Sequence, residues 1–226
     1  MWIHSIVLGL SCILFGCGFF VPSEKILVKV DGLEHLSYSE VLEILNIESS
    51  VDSANIQLDE WSQKLESHPR IQLAHVKVEG GYLAIKIQEK GINWIVQSSG
   101  KLYELDSNLK IVSIDDVRSK WIPILSGNFR TTETNIEGSL FLSTIQQVNR
   151  MFDLFPELKQ RISEINVDKD GGILVYLHHP TRMTVQMGFT LSTLQAKKLY
   201  SSIAYFEGRN LVPKLMDLRG EDAFYY

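Results

Sequence analysis

The chain reads as an α+β protein in three parts: a single N-terminal transmembrane helix, a β-α-α-β-β module, and a β-rich domain with two long helices. Three observations predict this. Residues 2–21 contain no Asp, Glu, Lys or Arg, and as a helix rising about 1.5 Å per residue they would cross a hydrocarbon core of about 30 Å. Beyond them, short alternating apolar and polar runs are separated by Gly-rich turns. Two stretches, 139–155 and 191–206, instead repeat apolar residues at three- and four-residue steps.

These boundaries give an anchor over 1–22, a first domain over 23–90 and a second over 91–226. Each of the two domains is long enough to bury its own core. Apolar residues make up 45% and charged residues 22% of the 226, the balance of a folded chain rather than a disordered one. Net charge is −5 and the cations are scattered, which disfavours nucleic acid, since phosphate binding needs clustered Lys and Arg. The only two cysteines, Cys12 and Cys17, lie in the apolar segment. The remainder therefore has no disulfide framework and no thiol chemistry, and is compatible with an oxidising compartment.

For residues 2–21 the leading reading is an uncleaved anchor, with Trp2, Phe19 and Phe20 at the interfaces. Leu14-Phe15-Gly16-Cys17 also looks like a loose lipobox, which would make Cys17 an acylation site. An ordinary signal peptide is the weakest fit, because a basic start and a small-x-small site are both missing. Lys25 and Lys29 follow the segment and no cation precedes it, so charge counting alone would place the large part of the chain in the cytoplasm.

In the first domain, Ile26-Leu-Val-Lys-Val30 before Asp31-Gly32 is a strand and turn. Ser37-Tyr38-Ser39-Glu40 is a capping box opening a helix that carries Val41, Leu42, Ile44 and Leu45 inward to about Asn46. Residues 48–55 are polar and predict a loop, and Asp59 is the expected cap of a second helix with Trp61 and Leu65 on one face. His68-Pro69 ends that helix. Residues 73–79 and 82–89 alternate around Gly80-Gly81, a hairpin signal because both turn positions need positive φ. This order, directly after one apolar segment, resembles a POTRA domain. Val30-x-Gly32, Pro69 followed by Ala74-x-Val76-x-Val78, and Ile85-x-Ile87-x-Glu89 carry the resemblance.

In the second domain, residues 92–96 and 102–105 flank Ser98-Ser99-Gly100 as another hairpin, and Asp106-Ser107-Asn108 turns into a strand over 109–112. Residues 121–125 read as a strand. A helix from Ser139 shows Leu142, Ile145, Val148, Met151 and Phe152 to the core and stops at Pro156. Strands follow over 162–167, 173–177 and 183–187. A second long helix over 191–206 carries Leu194, Leu199, Ile203 and Phe206 inward, and extended segments over 214–219 and 223–226 close the chain. With Gly100-Lys-Leu-Tyr103, Ile122-Pro-Ile-Leu-Ser-Gly127 and Asp217-Leu-Arg219 in this order, nearly the whole chain resembles the FtsQ/DivIB family of bacterial division proteins. Two departures stand out. The family's basic tail before the helix is missing, which leaves a truncated or mis-assigned start at Met1, or lipid on Cys17, as readings; and Gly80-Gly81 replaces a hairpin proline.

Catalytic and metal chemistry find little support. His178 and His179 are neighbours, which on a strand point to opposite faces, while His4, His35, His68 and His75 are isolated. Ser107-Asn-Leu-Lys110 matches S-x-x-K but falls on a turn, and no Lys-Thr-Gly accompanies it. Asp115-Asp116 and Glu221-Asp222 read as solvated turn acids. The expectation is a non-enzyme with no cofactor, no metal and no small-molecule substrate.

What remains is binding. The last extended segments offer a sheet edge, whose unpaired main-chain groups could accept a partner strand. The candidate partner-binding residues are Leu215, Asp217, Leu218, Arg219, Ala223, Phe224, Tyr225 and Tyr226. Against this, Leu218 and Phe224 could pack inward with Lys214, Asp217 and Arg219 guarding the edge. The resemblance implies FtsB-like and FtsL-like partners at this end. It also implies a single-pass protein of the cytoplasmic (inner) membrane with the bulk of the chain on the periplasmic side. The expected function is a non-catalytic division scaffold. A POTRA-bearing subunit of a translocation or secretion assembly is the alternative, and a lipid-anchored envelope enzyme a more distant third.

Overall fold

The computed structural model describes residues 24–226, so the membrane segment expected over residues 2–21 lies outside the described residues. Among the described residues no helix is long and apolar enough to cross a membrane. They form a mixed α+β structure with four α-helices and two main sheets.

The first sheet takes β1 (Lys25–Asp31), β2 (Ser50–Asp52), β3 (Ile71–Glu79) and β4 (Tyr82–Glu89) in the order β2-β1-β4-β3, with β1 parallel to β4. Helices α1 (Tyr38–Leu45) and α2 (Leu58–Glu66) bury Val41, Leu45, Trp61 and Leu65 with Val28, Ile71, Leu83, Ile85 and Ile87 in one cluster. The capping box forms as expected: Ser37 Oγ accepts from Glu40 N at 3.3 Å and Ser37 N donates to Glu40 Oε2 at 2.7 Å. Asn46 closes α1 in the left-handed conformation.

Two expectations for this module are corrected. The polar 48–55 stretch contains β2, which pairs antiparallel with β1 through Ile26–Val51. A three-residue edge strand with one buried side chain has no period to read. Asp59 does not cap α2, because Gln57 occupies that position without a side-chain bond. Asp59 and Glu60 lie in the first turn, where their charge suits the helix dipole.

Two residues tie strand ends to helix starts. Gly32 has φ +85°, and a Cβ there would meet Ile87 O at 2.0 Å, so the turn that leaves β1 alongside β4 admits only glycine. Glu89, at the end of β4, accepts from the amides of Glu34, His35 and Leu36 at 2.8–3.0 Å, which fixes the approach to α1.

The second sheet has nine strands: β5 (Trp94–Ser98), β6 (Lys101–Leu105), β7 (Ile111–Ile114), β8 (Ile124–Gly127), β11 (Ile162–Val167), β12 (Ile173–Leu177), β13 (Met183–Gly188), β14 (Leu215–Asp217) and β15 (Phe224–Tyr225). Between them, β9 (Arg130–Thr131) and β10 (Ile136–Glu137) make a small hairpin. The spatial order is β15-β14-β13-β12-β11-β8-β5-β6-β7. The register aligns Val96, Leu125, Ile165, Val175, Val185 and Met216 in one buried row. Helices α3 (Ser139–Leu154) and α4 (Thr193–Arg209) cover that face, contributing Phe141, Ile145, Val148, Met151, Ala196, Leu199, Ile203 and Phe206 to the same cluster.

Most of the expected inward positions hold, with Ile145, Val148 and Met151 on α3 and Leu199, Ile203 and Phe206 on α4 all buried. Leu142 and Leu194 were expected inside, yet both are exposed, and Phe141 and Ala196 take their places. Both exceptions fall in the first turn of their helix, where a leucine one or two positions off the stripe points about 100–200° away from it. Leu191, just ahead of the Ser192 cap, packs inward with Ala196 in the manner of a hydrophobic staple. Residues 121–125 form a strand only from Ile124, and His178 and His179 follow the end of β12 rather than lying on it.

A charged joint connects the two modules. Arg70, after α2, is 4% exposed and meets the fully buried Glu104 of β6 at 2.7 Å. Glu104 also accepts from Ser113 Oγ at 2.8 Å, Arg118 N at 3.0 Å and Ser119 N at 2.8 Å. Arg118 reaches back to Glu40 at 2.6 Å and to His35 O at 2.9 Å. Asp116, expected to be a solvated turn acid, instead takes Arg118 Nε at 2.9 Å and Arg70 Nη2 at 3.3 Å. Burial works to raise the Glu104 pKa, but the hydrogen bonds from Ser119, Ser113 and Arg118 outweigh it and hold the carboxyl below its usual range.

Candidate functional site: the C-terminal sheet edge

The site begins at α4, whose C-terminus is closed by Asn210 in the left-handed conformation. The chain then runs back along β13 as β14, parallel to it, with Val185 opposite Met216. Met216 and Leu218 are fully buried, and Leu218 N donates to Gln186 O at 2.9 Å. Leu218 is therefore a core residue, and its place among the candidate contacts is corrected. Leu215 and Asp217 are half-buried on the opposite face.

Asp217 and Arg219 form a local forked pair, Nη2–Oδ2 at 2.6 Å and Nε–Oδ1 at 3.0 Å, and the guanidinium lowers the Asp217 pKa. Lys198 on α4 donates to Gly220 O at 2.7 Å and pins the turn that sends the chain back. The returning residues form β15, antiparallel to β14, with Tyr225 opposite Met216 and Phe224 opposite Asp217.

This places β15, not β14, at the sheet's edge. Leu215 and Tyr226 exchange main-chain bonds, Tyr226 N to Leu215 O at 3.0 Å and Leu215 N to Tyr226 O at 3.4 Å. In an antiparallel ladder such pairs alternate with non-bonded ones. Tyr225 is in the non-bonded position, so its N–H and C=O point away from β14 toward the open side.

Side chains around that edge are aromatic and exposed. Phe224 is 56%, Tyr225 46% and Tyr226 77% exposed, and Ala223 is exposed as well. Tyr225 shares the helix-covered face, its ring 5.1 Å from Phe206, and the neighbouring Tyr205 hydroxyl raises its phenol pKa. Phe224 does not pack inward, contrary to the protected-edge reading. Asp217 and Arg219 sit beside the turn rather than across the edge.

The structure adds residues that the sequence reading did not propose. Tyr205, Leu211 and Val212 are exposed at the end of α4, and Lys214 N donates to Tyr226 O at 2.8 Å, which brings that segment against the final strand. Only the exposed face of α4 carried a hint of them, through Tyr205 beside the inward Phe206. Together these side chains make a nonpolar surface around a strand with open main-chain groups, the arrangement that strand addition uses.

The other candidate groups are not brought together. Ser107 and Lys110 lie on the turn between β6 and β7, where Asp106 Oδ1 accepts from Asn108 N and Lys110 N. His179 approaches Glu207 at 3.8 Å. Among the described residues, no three His, Cys, Asp or Glu side chains converge as metal ligands would.

Residues 27–90 match the family model of the POTRA domain, FtsQ-type. The comparison with curated proteins returned no match. The first module is an FtsQ-type POTRA domain, and the match supports the resemblance to the FtsQ/DivIB family.

Proposed function

We propose that this chain, built on an FtsQ-type POTRA domain, is a non-catalytic scaffold of the bacterial division machinery. Residues 2–21 hold it in the cytoplasmic membrane, the POTRA domain lies next to them, and the second domain docks FtsB-like and FtsL-like partners on the extracytoplasmic side. The observation that carries the docking reading is β15: an edge strand with the Tyr225 main chain turned outward between exposed aromatic side chains. An incoming strand would gain main-chain bonds there, and Phe224 and Tyr226 on one face with Tyr225 on the other would supply buried aromatic area.

Tyr225→Pro is the sharpest test. The Tyr225 N–H makes no bond to β14, so proline removes the donor offered to a partner and leaves the β14–β15 ladder in place. Deleting residues 223–226 is less clean, because it uncovers the β14 edge. The expected result for Tyr225→Pro is loss of co-purification with the FtsB-like partner, while Tyr225→Ala, which loses the same ring contact with Phe206 but keeps the N–H, melts at the same temperature as the proline variant and retains more of the partner. Undiminished co-purification would refute the assigned edge. Depletion separates the scaffold from the alternative, a translocation or secretion subunit: unseparated filaments support the former and normal septation the latter.

A further inference from the structure

The nine-stranded sheet opens between the starts of β8 and β11. The parallel ladder between β8 and β11 begins at Ile124 and Glu164. One residue earlier stands Pro123, which has no N–H to extend it. The two chains diverge from there and leave a cleft of about 450 Å³ between residues 121–123 and 159–163. That volume lies within the range of small-ligand sites.

Its walls are chemically uneven. Trp121, Ile122 and Pro123 form one side, with Ile162 and Ser163 opposite, and Lys159, Gln160 and His178 stand around the mouth. None of the lining side chains is acidic. Trp121 is 87% exposed and has φ +64°, a left-handed backbone that a bulky aromatic rarely adopts. The segment leading to it is fixed by Arg118 and Ser119, whose amides donate to the buried Glu104. The indole is thus presented at the cleft by an anchored chain, with nothing covering it.

We propose that this cleft is a saccharide site for a sugar unit bearing a carboxylate. The C–H face of the ring stacks on the Trp121 indole, Lys159 meets the carboxylate, and Gln160 and His178 hydrogen-bond hydroxyl or amide groups. A purely apolar ligand would leave the polar mouth unused. A peptide strand laid along residues 121–123 would need their main-chain donors, and Pro123 removes one of them, whereas a sugar needs only a flat apolar face and side-chain partners. The site is separate from β15 and does not depend on docking there.

The test uses the full-length protein with N-acetylmuramic acid as the acidic sugar and N-acetylglucosamine as its neutral counterpart. A sugar-dependent change in indole fluorescence that disappears in Trp121→Phe, which keeps Trp2, Trp61 and Trp94, reports the cleft. Affinity is read independently by saturation-transfer NMR of the sugar. Trp121→Ala, a change at an exposed residue, is expected to weaken binding by about tenfold or more. Lys159→Ala should weaken the acidic sugar to the level of the neutral one and leave the neutral one unaffected. Failure of N-acetylmuramic acid to bind saturably, or binding that Trp121→Ala leaves unaltered, would overturn the proposal. Tighter binding of an acidic aromatic peptide at the same indole would overturn it in favour of peptide docking.

Discussion

Glu104→Gln tests how the two modules are joined. The carboxylate is fully buried and takes four donors: Arg70 Nη2 and Ser113 Oγ on one oxygen, and the Arg118 and Ser119 amides on the other. Glutamine has nearly the same shape, but one of its two ends is a donor. Turned toward the amides it opposes two N–H groups, and turned toward Arg70 it leaves a nearly buried cation facing a donor. Removing one partner of a buried pair costs about 3–5 kcal/mol. Asp116, 3.3 Å from Arg70, compensates in part and sets the expectation near the lower end, about 3 kcal/mol. That is a large fraction of the ~5–15 kcal/mol by which a domain is stable. The assay is urea unfolding at neutral pH, followed by fluorescence in single-tryptophan backgrounds that keep either Trp61 in the first module or Trp94 in the second, both buried. The variant should unfold at lower urea and in two separated steps, because the ion pair spans the joint. Arg70→Met combined with Glu104→Leu should lose less than the sum of the single changes, since an apolar pair strands no charge. A shift under about 1 kcal/mol with one shared transition would refute the role assigned to the pair.

Two further perturbations bear on the POTRA domain. The hydrogen bond from Arg118, followed by those from Ser37, holds the Glu40 carboxyl at about 2, below its ordinary 4.5. A depressed folded-state pKa gives stability that is complete above the ordinary value and is lost as pH falls through the folded value. The wild-type urea midpoint should therefore decline from about pH 5 toward pH 2, and Glu40→Gln, which keeps a capping side chain, should flatten that decline. An identical slope in both proteins would count against the pair. Gly32→Ala places a methyl 2.0 Å from Ile87 O at φ +85° and should cost more than about 2 kcal/mol in the Trp61-reported transition. Gly80→Ala, also at positive φ but with nothing within 4 Å, should cost about 1 kcal/mol.

Much of the architecture was legible because it is local. The Ser37–Glu40 box, the Gly80-Gly81 and Ser99-Gly100 turns, and the exact limits of β11 and β12 follow from side-chain hydrogen bonding, positive φ and period-two burial. These act over a few residues and leave a pattern in the chain. The features that went astray depend on neighbours distant in sequence. Val51 is a strand residue only because β1 lies beside it, and Glu104 is a buried ion-pair partner only because Arg70 arrives from the first module.

Residue pattern alone marks two short extended segments over 214–219 and 223–226, the second rich in aromatics. Their order across the sheet comes from packing: β14 lies inside with Leu218 in the core, β15 at the margin, and the Tyr225 main chain is turned outward. Strand order and hydrogen-bond phase are set by which neighbour occupies each side of a strand. That choice is fixed when α4 packs on the shared core and carries the chain to the far side of β13. No residue in the last twelve encodes it alone.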